Sequence, residues 1–440
     1  MTYGRLIAIL ALFISSLSIY WMSPPSAKAS NPNLMRFIQV SAKTREDRSR
    51  LNHAGLSIEA VRSDSVWGFA SASVLNRLEK SGEKILGNFD LSVGRGGHEG
   101  IFDFPQYDSN FHNYNETLSE LKMLQSQNAD IVKVQSIGKS LEGRDLWALH
   151  INTEPQALQT GQSNKPGAIF MGAHHAREHV SVEIPLRLAA YLLSNRADSK
   201  ISAMLASRDL WIIPMVNPDG AEYDIATGSY QYWRKNRRPN GDGTFGVDLN
   251  RNYSFHWGTG GSDTDTSSDV YMGTAPFSEP ETQVIRDFVG AHLNAKVLLT
   301  FHTFSELVLY PWGHTYDKIG DKIGTKQDYN VFKTMAETMA QWNGYTPEQS
   351  SDLYIASGDT TDWAYGEHGM FAFTFEMSPN QSAGAGGFYP GEGILDKVFN
   401  DNLKPCLYLI DSADNPYKTL NHQPSMWLKN LIEPSIPNGF

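Results

Sequence analysis

Apolar, strand-like runs alternate with helix-like segments along most of this 440-residue chain, and this alternation restricts the possible folds more than any other feature. Runs such as Ala168-Ile169-Phe170-Met171 and Val297-Leu298-Leu299-Thr300-Phe301 are apolar nearly throughout, which is typical of strands buried on both faces of a sheet. Helical patterns, among them 180–194 and 394–412, separate these strands. The sequence therefore predicts an α/β domain with a mixed, largely parallel central sheet flanked by helices.

Composition and charge narrow the functional classes. Hydrophobic residues make up 40% and charged residues 19% of the chain, proportions that are typical of a globular protein with a sizeable core. The net charge of −11 comes without any block dense in Lys and Arg, so nucleic acid is not an expected partner. The single cysteine, Cys406, lies in an apolar helical pattern and is expected to be a buried thiol.

The N-terminus has the pattern of a secretory signal peptide over 1–29. Arg5 precedes an almost wholly apolar run over 6–22, and Ala27-Lys28-Ala29 provides the small residues of a cleavage site. An uncleaved anchor is the alternative, because the apolar run is near the short limit for a membrane span. The expected location is secreted or periplasmic, with no membrane contact after signal removal.

Two further domain boundaries follow from changes in pattern. Residues 30–97 alternate short strands and helices, as in a small α+β unit, and end in Gly94-Arg95-Gly96-Gly97, a linker suited to proteolysis. This unit is predicted to be an activation pro-segment removed by another protease, and a permanent N-terminal domain is the alternative. The α/β domain is predicted over 104–415, followed by a Pro/Asn-rich tail over 416–440.

Polar residues follow several predicted strands, at the sheet edge where functional groups of α/β proteins gather. His175, Glu178, His302 and Glu376 each lie at such a strand end. Imidazole and carboxylate groups are the ligands of catalytic zinc. Either His175 and Glu178 bind the metal with a distant third His, or His175 and His179 bind it and Glu178 acts as the base. A polar turn with surface histidines is the remaining alternative.

Two segments are rich in Arg and Asn although the chain is acidic. They span 233–238 and 246–252. Arg guanidinium and Asn amide groups suit bidentate binding of a carboxylate, although a solvated loop is the default for any single Arg. A zinc centre beside such a carboxylate clamp indicates hydrolysis next to the free C-terminus of a substrate.

With these residues in view, the chain resembles the zinc metallocarboxypeptidases of the carboxypeptidase A family, with most similarity to the bacterial carboxypeptidase T branch, over about 104–412. The matching motifs are His-Ala-Arg-Glu (175–178), Asn-Pro-Asp-Gly (217–220), Trp-Arg-Lys-x-Arg (233–237), Gly-Val-Asp-x-Asn-Arg-Asn (246–252), Phe-His-x-x-Ser (301–305), Ser-Gly-Asp-Thr-Thr-Asp-Trp (357–363) and Phe-Thr-Phe-Glu (373–376). The resemblance implies the zinc carboxypeptidase fold and one Zn²⁺ per chain, held by His175, Glu178 and His302.

The same resemblance implies roles for the other motif residues. Glu376 is expected to be the general base, Arg237 to stabilise the oxyanion and Asp248 to orient the His175 imidazole. The residues expected to bind substrate are Arg177, Arg234, Asn250, Arg251, Tyr354, Asp359 and Thr361. Within that set, Asn250, Arg251 and Tyr354 are expected to bind the terminal carboxylate.

The expected function is a secreted zinc exopeptidase that hydrolyses the last bond of peptides and proteins with zinc-activated water. Because Thr361 is polar but uncharged and Asp359 lies two positions earlier, we expect tolerance of apolar and aromatic C-terminal residues, with basic residues left open. A zinc amidase of the same fold, acting on cell-wall peptides, is the alternative. The stretch Asp263-Thr264-Asp265 could hold Ca²⁺, but a solvated loop is the expected state there.

Overall fold

The computed structural model describes residues 35–90, 103–429 and Leu431. The predicted signal peptide at 1–29 and the predicted linker at 94–97 lie outside the described residues. Within the described ranges, no helix is both long enough and apolar enough to cross a membrane.

Residues 35–90 form the predicted α+β unit. Its strands are β1 Met35–Ser41, β2 Ser57–Val61, β3 Ser65–Ser71 and β4 Ile85–Asp90, and its helices are α1 Arg45–His53 and α2 Ala72–Lys80. The sheet is antiparallel with the order β2-β3-β1-β4, so β2 is an edge strand. Sequence patterns do not predict β4, because Gly87 and Asn88 interrupt its apolar residues.

The two faces of this small sheet are covered by different partners. Aliphatic side chains, Ile38 among them, pack against α1 and α2 on one face. On the other face the rings of Phe37 and Phe69 pack against Phe304 and Phe388 of the following domain. The N-terminal unit is therefore docked on that domain through an aromatic surface.

The second domain contains one eight-stranded sheet. Its strands are β5 Val132–Lys139, β6 Asp145–Ile151, β7 Gly167–Gly172, β8 Asp209–Ile213, β9 Ala295–Ser305, β10 Leu307–Tyr310, β11 Thr346–Gln349 and β12 Phe371–Asn380. Its helices are α3 Tyr114–Gln127, α4 Pro155–Thr160, α5 Val180–Ser194, α6 Ser199–Ser207, α7 Pro218–Asp224, α8 Pro280–Ala291, α9 Lys326–Asn343, α10 Ser350–Leu353, α11 Thr360–His368, α12 Leu395–Ser412 and α13 Met426–Lys429. Short 3₁₀ helices include Leu249–Arg251 and Gln381–Phe388.

The strand order is β11-β10-β12-β9-β7-β8-β6-β5. The four central strands β12, β9, β7 and β8 are parallel, and antiparallel pairs connect them to both ends of the sheet. Helices α5, α9 and α12 contribute to the core on one face, and α8 and α11 contribute to the core on the other. The predicted mixed, largely parallel sheet flanked by helices is confirmed.

Some local expectations need correction. The sequence Ser278-Glu279-Pro280-Glu281 predicts a capping box, but α8 starts at Pro280 and its N-cap Glu279 makes no side-chain cap hydrogen bond. Proline favours the first helical position because its missing N–H costs nothing there. Helix α11 is not predicted, because Thr360 and Thr361 at its start are weak helix formers. Cys406 is buried, as expected.

Candidate active site

Three side chains meet at the carboxyl ends of the central strands. Strands β7 and β9 are parallel neighbours, so His175, just beyond β7, comes next to His302 on β9. The His175 and His302 Nδ1 atoms lie 3.1 Å apart, and Glu178 oxygens lie 2.8 Å and 2.9 Å from them. All three side chains are buried. Among the described residues, this is the one group of three or more His, Cys, Asp or Glu side chains with metal-ligand spacing.

The donor atoms fit a zinc ion. Two imidazole nitrogens and one carboxylate leave a fourth position for water or substrate, which is the pattern of catalytic zinc sites. Ligands at zinc distances in a tetrahedron lie about 3.4 Å from one another, close to the separations in this cluster. By contrast, His179 Nε2 lies 2.8 Å from Asp224 Oδ2 and is not part of the cluster. The structure therefore favours the arrangement in which Glu178 is a ligand and His179 is not.

Asp248 contacts His175 on the side of the imidazole ring that faces away from the other two donors. Its Oδ1 lies 3.1 Å from His175 Nε2, the nitrogen that faces away from the other ligands. Its Oδ2 accepts from Nε and Nη2 of Arg234 at 3.1 Å and 3.0 Å. A single buried carboxylate thus contacts both a member of the donor cluster and a cation of the site.

One cavity brings most of the predicted site residues together. Those that line it are His175, Glu178, Arg234, Asn250, Arg251, Tyr354, Asp359, Thr361 and Glu376. Glu376 is on β12 directly opposite His302 on β9, which explains its position beside the metal ligands. Burial raises its pKa well above the usual range, and the charges of Glu178 and Glu59 add to this effect.

The position expected for Arg237 is not observed. Its guanidinium lies over the Tyr223 ring at 3.5 Å and near Trp233 and Phe245, and it is not among the residues that line the cavity. Arg234 lines the cavity instead, with Nη1 3.9 Å from Glu178 Oε1. The segment is irregular, so two Arg residues three positions apart point into different surroundings.

The carboxylate clamp has a fixed geometry. The Asn250 amide oxygen accepts from Thr360 N at 2.9 Å and Thr360 Oγ1 at 2.8 Å, which leaves the amide NH₂ group for a ligand. Arg251 donates from Nε to Gly261 O and from Nη1 to Asn250 O. The Tyr354 hydroxyl donates to the Ile58 carbonyl of the N-terminal unit at 3.3 Å.

The two side-chain oxygens of Asp359 have different surroundings. Its Oδ1 accepts from the amides of Thr361 and Asp362 at the start of α11 and from the Thr361 hydroxyl. Its Oδ2 is buried, and no described residue hydrogen-bonds to it. Burial, with the neighbouring Asp362 charge, raises the pKa of Asp359 to about 6. A buried acceptor of this kind is suited to a cationic ligand group.

The N-terminal unit reaches into the same cavity. Residues Ile58, Glu59, Ala60 and Val61 of β2 are part of its lining. Glu59 Oε1 accepts from Arg177 Nη2 at 2.7 Å, while Asp269 Oδ2 accepts from Arg177 Nη1 at 2.8 Å. The Arg177 guanidinium lies between the rings of Phe69 and Phe388 and is completely buried. No motif in the sequence points to Glu59.

A second contact lies at the stretch for which a solvated loop was expected. Asp263 is only 7% exposed and pairs with Arg77 of α2. Asp265 accepts from the Ser73 hydroxyl at 2.6 Å. These carboxylates contact the N-terminal unit, so the expectation of a solvated loop is wrong.

This site, at the edge of a largely parallel sheet, defines a metal-dependent hydrolase. The zinc carboxypeptidase (peptidase M14) family model matches residues 117–404. The chain belongs to the zinc carboxypeptidase family and is a zinc metallocarboxypeptidase, an exopeptidase that acts on peptide C-termini.

Individual relatives agree with this assignment. A zinc carboxypeptidase of Saccharothrix mutabilis subsp. capreolus is 35% identical over 372 residues, which cover 81% of this chain and 84% of the relative. Carboxypeptidase B of Astacus astacus is 34% identical over 277 residues, 61% of this chain and 86% of the relative. The crystal structure of carboxypeptidase A from Helicoverpa armigera covers 89% of this chain and 99% of its own, with a TM-score of 0.69 and 23% identity, and supports the fold.

Proposed function

We propose that the protein is exported as a latent carboxypeptidase that, once activated, removes apolar, aromatic and basic C-terminal residues. The observation that carries this proposal is the single cavity shared by the His175–Glu178 metal donors, the Asn250–Arg251 clamp and the buried carboxyl of Asp359. A clamp for a free carboxylate next to the reacting centre restricts cleavage to the last peptide bond. The proposed export rests on the signal-like sequence at 1–29.

The proposed roles follow from the charges around the cavity. The chemistry that zinc supplies when bound is Lewis-acid activation of a carbonyl oxygen and of water. Glu376 takes the proton of the attacking water and then gives it to the leaving amine. Arg234, rather than Arg237, faces the negative charge that develops on the carbonyl oxygen. Asn250 and Arg251 hold the terminal carboxylate, and Tyr354 joins them once its hydroxyl is released from Ile58.

Residues 30–97 are proposed to be the activation segment. Two contacts support a latent full-length chain. Arg177 donates to Glu59, and the Tyr354 hydroxyl donates to the Ile58 carbonyl, so neither group is available to substrate. A protease that cleaves near 94–97 would separate the segment from the catalytic domain. Reading the N-terminus of the exported, active enzyme tests this: a start at Ser30 with full activity would contradict it.

An assay on blocked dipeptides tests the proposed reaction. The protease-treated enzyme is expected to cleave substrates with a free C-terminal Phe, Leu or Arg and to leave the matching C-terminal amides intact, because the amides carry no carboxylate for Asn250 and Arg251. Product amino acid is quantified by chromatography. Cleavage of γ-D-glutamyl cell-wall peptides without cleavage of the dipeptides would instead support the amidase alternative.

Selectivity for basic residues is expected to depend on pH through Asp359. With its pKa near 6, this carboxyl is about one-tenth charged at pH 5 and about nine-tenths charged at pH 7. The ratio of kcat/KM for a C-terminal Arg substrate to that for a Phe substrate should therefore rise about tenfold over this range. In Asp359→Asn the ratio should be low and independent of pH. A wild-type ratio that does not change would contradict this role.

A matched pair of variants distinguishes the roles of Arg234 and Arg237. Arg234→Met is expected to lower kcat by about 10²–10³-fold, the usual effect of removing one group that stabilises an oxyanion. Arg237→Met removes a guanidinium that stacks on aromatic rings, so it should lower thermal stability and leave kcat within about threefold of wild type. Zinc content is measured in both, since Arg234 also bonds to Asp248. If Arg237→Met lowered kcat strongly and Arg234→Met did not, Arg237 would be the residue that stabilises the oxyanion.

A further inference from the structure

A line of buried hydrogen bonds connects a metal ligand with the carboxylate clamp. The Thr300 hydroxyl lies 3.2 Å from His302 Nε2 and 3.2 Å from His174 Nδ1. On the other side of its ring, His174 Nε2 lies 3.1 Å from Thr360 Oγ1, and that hydroxyl donates to Asn250 Oδ1 at 2.8 Å. His302, Thr300, His174 and Thr360 have no exposed surface.

One order of the hydrogen atoms makes this line of hydrogen bonds continuous when the metal site is filled. His302 Nδ1 faces the other ligands, so its Nε2 carries the hydrogen and donates to Thr300. In this order the Thr300 hydroxyl donates to His174 Nδ1, which puts the ring hydrogen of His174 on Nε2. There it can donate to Thr360, or to the Tyr253 hydroxyl at 2.9 Å. Thr360 in turn donates to Asn250 Oδ1.

This order has a consequence at each end. At the metal end, an acceptor on Nε2 fixes the ring plane and tautomer of His302, which is the task that Asp248 performs for His175. At the clamp end, two donors from Thr360 fix the Asn250 amide so that its oxygen is occupied and its NH₂ group is available. The residue in the middle, His174, has contacts toward both ends.

We propose that His174 and Thr300 are positioning residues that support the metal ligand His302 and, through Thr360, set the orientation of Asn250. This inference rests on the proposed assignment of His302 to the metal and of Asn250 to the substrate carboxylate. It gives a role to His174, which is adjacent to a ligand in sequence yet lies outside the ligand cluster.

The metal end is tested on the full-length chain, without any need for activity. Thr300→Val keeps the shape of the side chain and removes the hydroxyl, so zinc affinity measured by chelator competition should fall about tenfold, and the visible spectrum of the Co²⁺-loaded chain should shift. Thr300→Ser should restore both. The matched control is Thr117→Val, which removes another buried hydroxyl far from this line of residues.

The outcomes separate this inference from the proposed function. If wild type binds zinc and Thr300→Val matches it in affinity and in Co²⁺ spectrum, the inference is wrong and the proposed function stands. If wild type binds no zinc, both are overturned. A loss of thermal stability in Thr300→Val with unchanged affinity and spectrum would indicate a purely structural hydroxyl and would also reject the inference.

The clamp end is tested by measuring KM and kcat separately in protease-treated variants. Thr360→Val should raise KM for blocked dipeptides about tenfold with little change in kcat, and leave the Co²⁺ spectrum as in wild type. His174→Leu should alter both the spectrum and KM, since it breaks the line in the middle. A His174→Leu variant that folds and changes neither quantity would overturn the proposal.

Discussion

In the protease-treated enzyme, Glu376→Gln is expected to lower kcat by about 10²–10⁴-fold, while the variant keeps its zinc. Glutamine has nearly the same shape as glutamate but cannot accept the proton of the attacking water. Glu376 lies opposite His302 but is outside the cluster of metal donors, so the metal site should be unaffected. Turnover is measured with a blocked C-terminal Phe dipeptide and zinc by elemental analysis of the same sample.

Two comparisons make this result specific. Glu337→Gln, at an exposed position on α9, should behave as wild type in both measurements. Glu178→Gln should also lose activity, but with loss of zinc, because Glu178 donates to the metal. Full activity of Glu376→Gln would show that another group removes the proton.

The second large effect is expected from Glu59. In the full-length chain its carboxylate and the Arg177 guanidinium form a buried pair between the N-terminal unit and the catalytic domain. Removing one partner of such a pair costs about 2–5 kcal/mol, which corresponds to a rise of about 30-fold or more in the undocked fraction. Full-length Glu59→Gln should therefore be at least about 30-fold more active than full-length wild type. Protease treatment should raise the activity of both to the same level.

The control for this experiment is Glu79→Gln, at an exposed position on α2 of the same unit. It should leave the full-length chain as inactive as wild type. If untreated wild type hydrolyses dipeptides as fast as the protease-treated enzyme, residues 30–97 do not act as an activation segment.

Much of the fold was predictable because it depends on the apolar pattern of single segments. Strands such as β7 and β9 are apolar over most of their length, and α5 was predicted over the same residues that it occupies. Strands β10 and β11 were not predicted. Each has only four residues, which is too few for a clear apolar pattern, and their pairing is set by distant parts of the chain.

Some residues of the site were also predictable from the sequence, and others were not. His175, Glu178, His302 and Glu376 follow buried strands, and parallel strands bring their carboxyl ends together, so sequence alone suggested their proximity. The direction in which a side chain leaves an irregular segment is decided by tertiary packing, so the motif alone points to Arg237 although Arg234 lines the cavity. Glu59 carries no motif, because its significance depends entirely on how one domain docks on another.

The aromatic docking surface has a consequence for the fate of the N-terminal unit. Once cut free, the unit would expose the rings of Phe37 and Phe69 to water together with the open edge of β2. Such a surface favours self-association and attack by proteases. We therefore expect activation to be irreversible in practice, since the inhibitor would be lost from solution faster than it could bind again.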